Sequence, residues 1–245
     1  MKKRFNEAFY IGVLDVLPLL RDPLMLIMLS LIAFMPVVFI GVFAGGKMAV
    51  QSLVGAIVLT LFFSGIQVAQ STYFNKHWFR LQDVYVASPV RPTSYAMGLS
   101  LATLIGSLPA VLFAIGILLV TWHVTVTGAA MLLVVSLILW LATVFLGFSL
   151  GSSIKNTRWA NNIPQVLGFV LGFLPPIYYP LEMLPSYLQP LAMLIPTTHG
   201  AQLAKYYLGL ISLPEWQVLF GWAYLIGFML LMVVLARRWA RWVDP

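Results

Sequence analysis

The chain has 245 residues, 61% of them apolar and 9% charged, with a formal net charge of +7 and no cysteine. That balance places it among integral membrane proteins and excludes a disulfide framework, a thiolate nucleophile and a zinc site built on sulfur. The basic residues sit in small clusters between apolar runs, which fits membrane orientation better than nucleic-acid binding, so no nucleic-acid partner is expected.

Residues 1–22 open with Met1-Lys2-Lys3-Arg4 and carry Phe5, Phe9, Gly12, Val16 and Leu20 at helical spacing. A thin polar face of Arg4, Glu7 and Asp15 opposes them, which predicts an interfacial helix. Asp15 and Arg21-Asp22 interrupt the apolar stretch and no small-residue cleavage site follows, so a cleavable signal is not expected. Pro23 suits a first helical position, where its missing donor is harmless. Six apolar segments then follow that can cross a hydrocarbon core, which needs roughly 20 helical residues. They lie at 24–43, 52–73, 100–122, 128–151, 164–179 and 218–236. The fold class expected is therefore an all-α, six-span membrane domain of one piece.

Between the second and third spans lies the longest hydrophilic island, 75–92, NKHWFRLQDVYVASPVRP. At about 100° per residue, Phe74, Trp78, Leu81 and Tyr85 share one side of a helix, with Lys76, Arg80 and Asp83 opposite. Ser88-Pro89 and Arg91-Pro92 stop it, since proline removes a donor and disfavours helix in the residue before it. Two readings stand: an interfacial connector, or a handle gripped by a soluble partner that supplies energy. Sidedness follows from the basic residues. Lys2, Lys3, Arg4, Arg21, Lys76, Arg80, Arg91, Lys155, Arg158, Arg237, Arg238 and Arg241 fall on one side of the six segments, Lys47 and Lys205 on the other. Cytoplasmic loops hold the excess of Lys and Arg, so both termini and 75–92 are expected in the cytoplasm.

On the opposite side, 44–51 and 123–127 are tight, but 179–217 is long and apolar. Pro175, Pro176, Pro180, Pro185, Pro190 and Pro196 punctuate its approach and first part, and no spanning helix survives that spacing. Short helices that dip into the outer leaflet over 175–200 reconcile prolines with grease, provided their irregular backbone is buried in protein or lines a wet cavity. A plain external cap is the other possibility.

Two motif matches fail on context. Gly41–Met48, GVFAGGKM, falls one residue short of a phosphate-binding loop and follows a membrane segment instead of a strand. Gly147-Phe148-Ser149-Leu150-Gly151 spells the G-x-S-x-G of a serine nucleophile. However, it lies at the cytoplasmic end of the fourth span, while His123 and His199 lie a bilayer of about 30 Å away. Gly147 with Gly151, and Gly168 with Gly172, suit close helix packing instead. No Asp, Glu, Lys, Arg or His falls within the six segments, although ion- and proton-coupled transporters mark their path with such groups. If the chain moves something, the energy comes from outside it.

At this point the sequence resembles the ABC type-2 transporter permeases, the group that includes daunorubicin-resistance, nodulation-factor and polysaccharide export permeases. Leu20-Arg21-Asp22-Pro23 with Pro36 is similar to the family's elbow helix, LQDVYVASPVRPTSYAMG (81–98) to its segment before the third span, and YPLEMLPSYLQPLAMLIPTTHGAQLAKYY (179–207) to its proline-rich block before the last. The family's acidic run after the second span is replaced here by basic and aromatic residues. The resemblance implies an exporter subunit in the cell membrane that is not itself an enzyme. It would bind no cofactor and pair with a second copy or close paralogue above separate ABC ATPase subunits carrying ATP and magnesium. It makes His77, Trp78, Arg80, Leu81, Asp83 and Tyr85 the ATPase-coupling set. Pro175, Pro176, Pro180, Pro185, Pro196 and His199 belong to an outer gate. The substrate would be a drug, lipid or polysaccharide, and membrane lipid surrounds the whole. The alternative is an ATP-independent six-span protein, either an intramembrane hydrolase or a channel or scaffold.

Overall fold

The computed structural model describes residues 2–87, 90 and 92–239; side chains 2–6, 19, 23, 25–27, 29–33, 36, 82–83, 86, 92–93 and 239 lie outside the description. Every element among the described residues is helical: α1 (Lys2–Leu20), α2 (Pro23–Phe43), α3 (Gly46–His77), α4 (Leu81–Val86), α5 (Pro92–Thr121), α6 (Val126–Ser153), α7 (Thr157–Gly172), α8 (Gln189–Met193), α9 (Pro196–Tyr207) and α10 (Glu215–Trp239), with a 3-10 turn at Leu181–Met183.

The organising element is α3. It is apolar around its whole circumference, and a helix of that kind belongs at the centre of a bundle. It packs against α2, α4, α5, α6, α7 and α9, and Val54, Ile57, Val58, Phe62, Ile66 and Val68 keep no exposed surface. The seam with α6 is built from small residues. A Cβ on Gly147 would stand 2.7 Å from the Gly65 carbonyl oxygen and 3.1 Å from the Ala69 nitrogen, and one on Gly151 would strike the Ala69 carbonyl. Close backbone approach of this kind lets two apolar helices associate without a solvent-driven force. On the α7 side, Gly168 admits the Phe63 ring to 2.5 Å of where a Cβ would be, and Gly172 receives Leu59.

Four helices among the described residues are long and apolar enough to cross a membrane: α3, α6 and the stretches Ser94–Thr121 and Glu215–Arg238 within α5 and α10. Phe113 and Val120 on α5, Val134 and Leu137 on α6, and Leu219 and Leu230 on α10 face outward, and lipid is the solvent that accepts such a surface. This is a multi-pass membrane protein.

Several boundaries differ from the sequence reading. α3 runs beyond 52–73 at both ends. The fifth segment, expected at 164–179, is a helix at Thr157–Gly172 with Pro164 inside it. It starts early because the Asn156 side chain accepts from the Arg158 amide at 2.8 Å, which is an N-cap. It stops early because Pro175 and Pro176 turn the chain back onto α3, where Gly55 leaves room for the Ile177 carbonyl, 2.5 Å from where a Cβ would be. In α1 the face turned inward is Ala8, Ile11, Gly12 and Val16, whereas Phe9 and Leu20 are exposed. Two glycines let α5 come this close: a Cβ on Gly12 would stand 2.9 Å from the Gly98 carbonyl, and Gly98 in turn leaves room for the Ile11 side chain.

Candidate functional site

The hydrophilic island does not form one continuous helix. α3 carries on through His77, and both the Trp78 and Phe79 amides donate to the Phe74 carbonyl at 3.0 Å. Arg80 then takes φ +50°, a left-handed conformation that residues with a Cβ seldom adopt. The six-residue α4 starts after it. The break undoes the predicted division into an aromatic inner face and a basic outer one. Trp78 and Phe79 are 63% and 64% exposed, Leu81 is exposed, and Lys76 is buried. His77 and Arg80 are exposed, while the Asp83 side chain lies outside the described residues, as do 88, 89 and 91. His77, Trp78, Phe79, Arg80 and Leu81 thus make one projecting tip of aromatic and basic groups. Within it the His77 ring lies on Tyr73 at 4.6 Å and the Trp78 ring meets Phe74 edge-on at 5.4 Å.

Tyr85 is the residue of the predicted set that turns inward. Its ring meets Tyr95 of α5 at 5.3 Å, and Tyr95 has no exposed surface. Around Tyr95 gather Ile11 of α1, Val68 of α3 and Val144 of α6. Beside it the Asn75 amide donates to Asp15 Oδ1 at 3.1 Å, joining the end of α3 to α1. Burial pushes the Asp15 carboxyl up from its ordinary range, with the Asn75 hydrogen bond opposing the shift. Burial, and then the Asp15 charge, raise the Tyr85 phenol. Three helices and α4 therefore meet at Asp15, Asn75, Tyr85 and Tyr95, with α6 joining through Val144, and a displacement of α4 has packed side chains through which to reach α1, α3, α5 and α6.

At the far end, 173–195 is a run of turns and short helices. Pro175, Pro176 and Pro196 are buried, Pro180 is half-buried and Pro185 is exposed. His199 is buried, its Nε2 2.7 Å from the Met193 carbonyl oxygen and its ring 4.4 Å from Tyr224 of α10. Burial lowers its pKa, and the Met193 contact opposes that. The Thr197 hydroxyl donates to the Leu171 carbonyl at the end of α7. Lys205, expected as an external cation, is 1% exposed, and its Nζ donates to the Tyr179 carbonyl at 3.1 Å. Burial holds this ammonium down to a pKa of about 7, with nearby Glu182 opposing the shift. One lysine thus ties α9 to the turn after α7. The tip and this outer segment are separate, at opposite ends of α3 and α7.

A bundle of apolar helices with a short helix after the second long one, and a proline-broken segment before the last, now has a match. The chain matches the ABC-2 type transporter family over residues 15–208. The chain belongs to that family. No curated protein matches it.

Members of this family are transport subunits. In this permease the G-x-S-x-G run lies inside α6, and the Ser149 hydroxyl is spent on the Phe145 carbonyl at 2.7 Å. Gly41–Met48 is a helix-to-helix link in which Gly45 and Gly46 take φ of +58° and +49°. Neither has the strand-to-helix setting its chemistry needs. No cluster of His, Cys, Asp and Glu suited to a metal occurs among the described residues. Sequence reasoning missed Asp15, Tyr95 and Lys205. Asp15 was visible as a carboxylate within a mostly apolar run, but a lone Tyr and a lone Lys carry no positional signal.

Proposed function

We propose that this permease is the membrane subunit of an ATP-driven exporter, with ATP and magnesium bound by a separate ABC ATPase. The observation that carries the reading is the projecting tip His77–Leu81, in a chain of this family, mounted on the central helix and backed by the Tyr85–Tyr95 contact. In this reading α2 and α7 are the first and fifth of six spans, α1 is the interfacial elbow, and both termini and α4 face the cytoplasm. The strained turn at Arg80 presents the handle, and the node at Asp15 and Asn75 receives its motion. The segment 173–195, with His199 and Lys205 behind it, closes the outer end. Two copies, or one copy and a close paralogue, enclose a weakly polar path for a hydrophobic or amphipathic substrate of the drug, lipid or polysaccharide class.

The test is co-purification with the cognate ABC ATPase in lipid nanodiscs, followed by a screen for compounds that stimulate ATP hydrolysis. A stable complex with stimulated turnover is expected. Vectorial transport by the permease alone, without ATP, would overturn the reading. Single cysteines introduced into this cysteine-free chain report sidedness independently, and position 80 should be labelled by an impermeant reagent only from the inner face.

A further inference from the structure

A cavity of about 600 Å³ opens between α2, α3 and α5, at the end of α3 opposite the tip. It exists because two helices diverge. Phe34 of α2 meets Phe113 of α5 edge-on at 5.3 Å, and Phe34 is buried. One turn further along each helix, Val37 and Ile117 line open space, and beyond them so do Gly41 and Thr121. The third wall is α3 from Gly46 to Leu53, about 10 Å of helix at about 1.5 Å per residue. These walls are hydrocarbon. Trp122 spends its indole N–H on the Leu208 carbonyl at 2.9 Å, and Thr121 its hydroxyl on the Ile117 carbonyl at 2.8 Å. Water there would lack the roughly two to four polar partners it needs.

Lys47 is the one charged residue of the lining. It is exposed and makes no ion pair among the described residues, and neither Glu182 nor Glu215 lines the cavity. Lys205, the other basic residue at this end, is buried beneath Tyr179. Nothing stands within 4 Å of where a Cβ on Gly45 or Gly46 would be, so the mouth beside Lys47 is open. Gly45 gives α3 no side-chain cap, which leaves the positive end of the helix dipole at the same mouth. No residue of α7 or of 173–195 takes part, so the cavity is separate from the outer closure.

We propose that this cavity binds an anionic phospholipid of the surrounding membrane, with one acyl chain between α2 and α5 and the phosphate on the Lys47 ammonium. Its volume lies in the range of ligand pockets, about 300–1,000 Å³. The apolar walls select a chain, and the unpaired cation at the mouth selects a net negative head. A zwitterionic lipid brings its own cation to the phosphate and answers Lys47 less well. A lysine at a helix end also reaches bulk headgroups by snorkelling, but that needs no cavity beneath it. Bound in this way, the lipid splints α2 to α5 where the two helices part. Neither ATP nor a partner subunit enters the binding.

The experiment uses the full permease in phosphatidylcholine nanodiscs carrying a trace of lipid with a diazirine on its acyl chain, either phosphatidylglycerol or phosphatidylcholine. Labelled peptides are mapped after irradiation. The phosphatidylglycerol probe should label 37–53 and 117–122 several-fold more than the phosphatidylcholine probe, while the outward face of α10 at Leu219 and Leu230 takes both equally. Lys47→Gln, a change at an exposed position, should bring the two probes level. A Cβ on Gly41 would stand 3.9 Å from the Ala49 Cβ, an ordinary contact, so Gly41→Leu should fill the cavity and remove both labels from its walls. Unlabelled phosphatidylglycerol should raise the melting temperature of the parent and leave that of Lys47→Gln unchanged. Excess glycerol phosphate should leave the label in place; displacement by it would mean an anion site without a lipid and overturn the proposal. Equal labelling of the walls by both probes, or a phosphatidylglycerol preference that survives Lys47→Gln, also overturns it and leaves ordinary lipid beside a surface lysine.

Discussion

Arg80 offers a test in which stability and function should move in opposite directions. A residue with a Cβ in the left-handed region pays about 1–2 kcal/mol, and the φ of +50° puts Arg80 there. Glycine removes that penalty but loses about 0.5–1 kcal/mol through its greater freedom when unfolded. Arg80→Gly should therefore be more stable than Arg80→Ala, which keeps the strain, by about 0.5–1 kcal/mol. For a chain of this size that is a difference of roughly 1–4 °C in melting temperature. Binding should respond to the lost charge instead. The Arg80 guanidinium is exposed; in the proposed reading it is desolvated against the ATPase, where loss of such a pair costs about 2–5 kcal/mol. At about 1.4 kcal/mol per tenfold, the lower end is roughly a 30-fold weaker ATPase association, shared by the Gly, Ala and Glu variants. Intrinsic tryptophan fluorescence reads melting in this chain of 8 Trp and no Cys, and pull-down with transport reads coupling. If Arg80→Gly melts no higher than Arg80→Ala, the strain argument is wrong. If all three variants bind and export like the parent, residues 77–81 are only a connector.

Three further outcomes follow from the packing and the buried charges. Gly151→Val places a side chain against the Ala69 carbonyl, which backbone cannot vacate, and overpacking of this sort costs about 1–3 kcal/mol; reduced yield and a lower melting temperature are expected, and parent-like behaviour would mean the α3–α6 seam is looser than described. Lys205 has its pKa lowered from 10.5 to about 7, so between those values the unfolded chain binds the extra proton and stability rises with pH. The melting temperature of the parent should accordingly climb from pH 7 to 10 relative to Lys205→Met, and parallel curves would show that the ammonium is not buried. Asp15 has a raised pKa, so its charged form is disfavoured by burial above that value. Asp15→Asn should match or exceed the parent in stability at pH 7, with the gap closing toward pH 4, while Asp15→Leu removes the α1 acceptor of the Asn75 amide and should weaken ATP-dependent transport.

Hydrophobic length and the distribution of Lys and Arg are one-dimensional quantities, and the membrane reads them as such. That is why the all-helical class, the apolar segments and the family resemblance were legible in the sequence. The prolines from 175 to 196 likewise forbid a long helix whatever surrounds them. Other features depend on neighbours. Lys76 and Arg80 are equivalent on a helical wheel, yet one is buried and the other projects, because the chain leaves the α3 helix at Phe79. Lys205 resembled a solvated external cation until α9 was seen packed under Tyr179. In α1 the inward face is Ala8, Ile11, Gly12 and Val16 instead of the face carrying Phe9 and Leu20, because Gly12 and Gly98 let the α5 backbone come close and Ile11 fills the space that Gly98 leaves. Periodicity says which residues share a side of a helix; which side is buried depends on how closely another backbone approaches, and that distance is a property of the packed bundle.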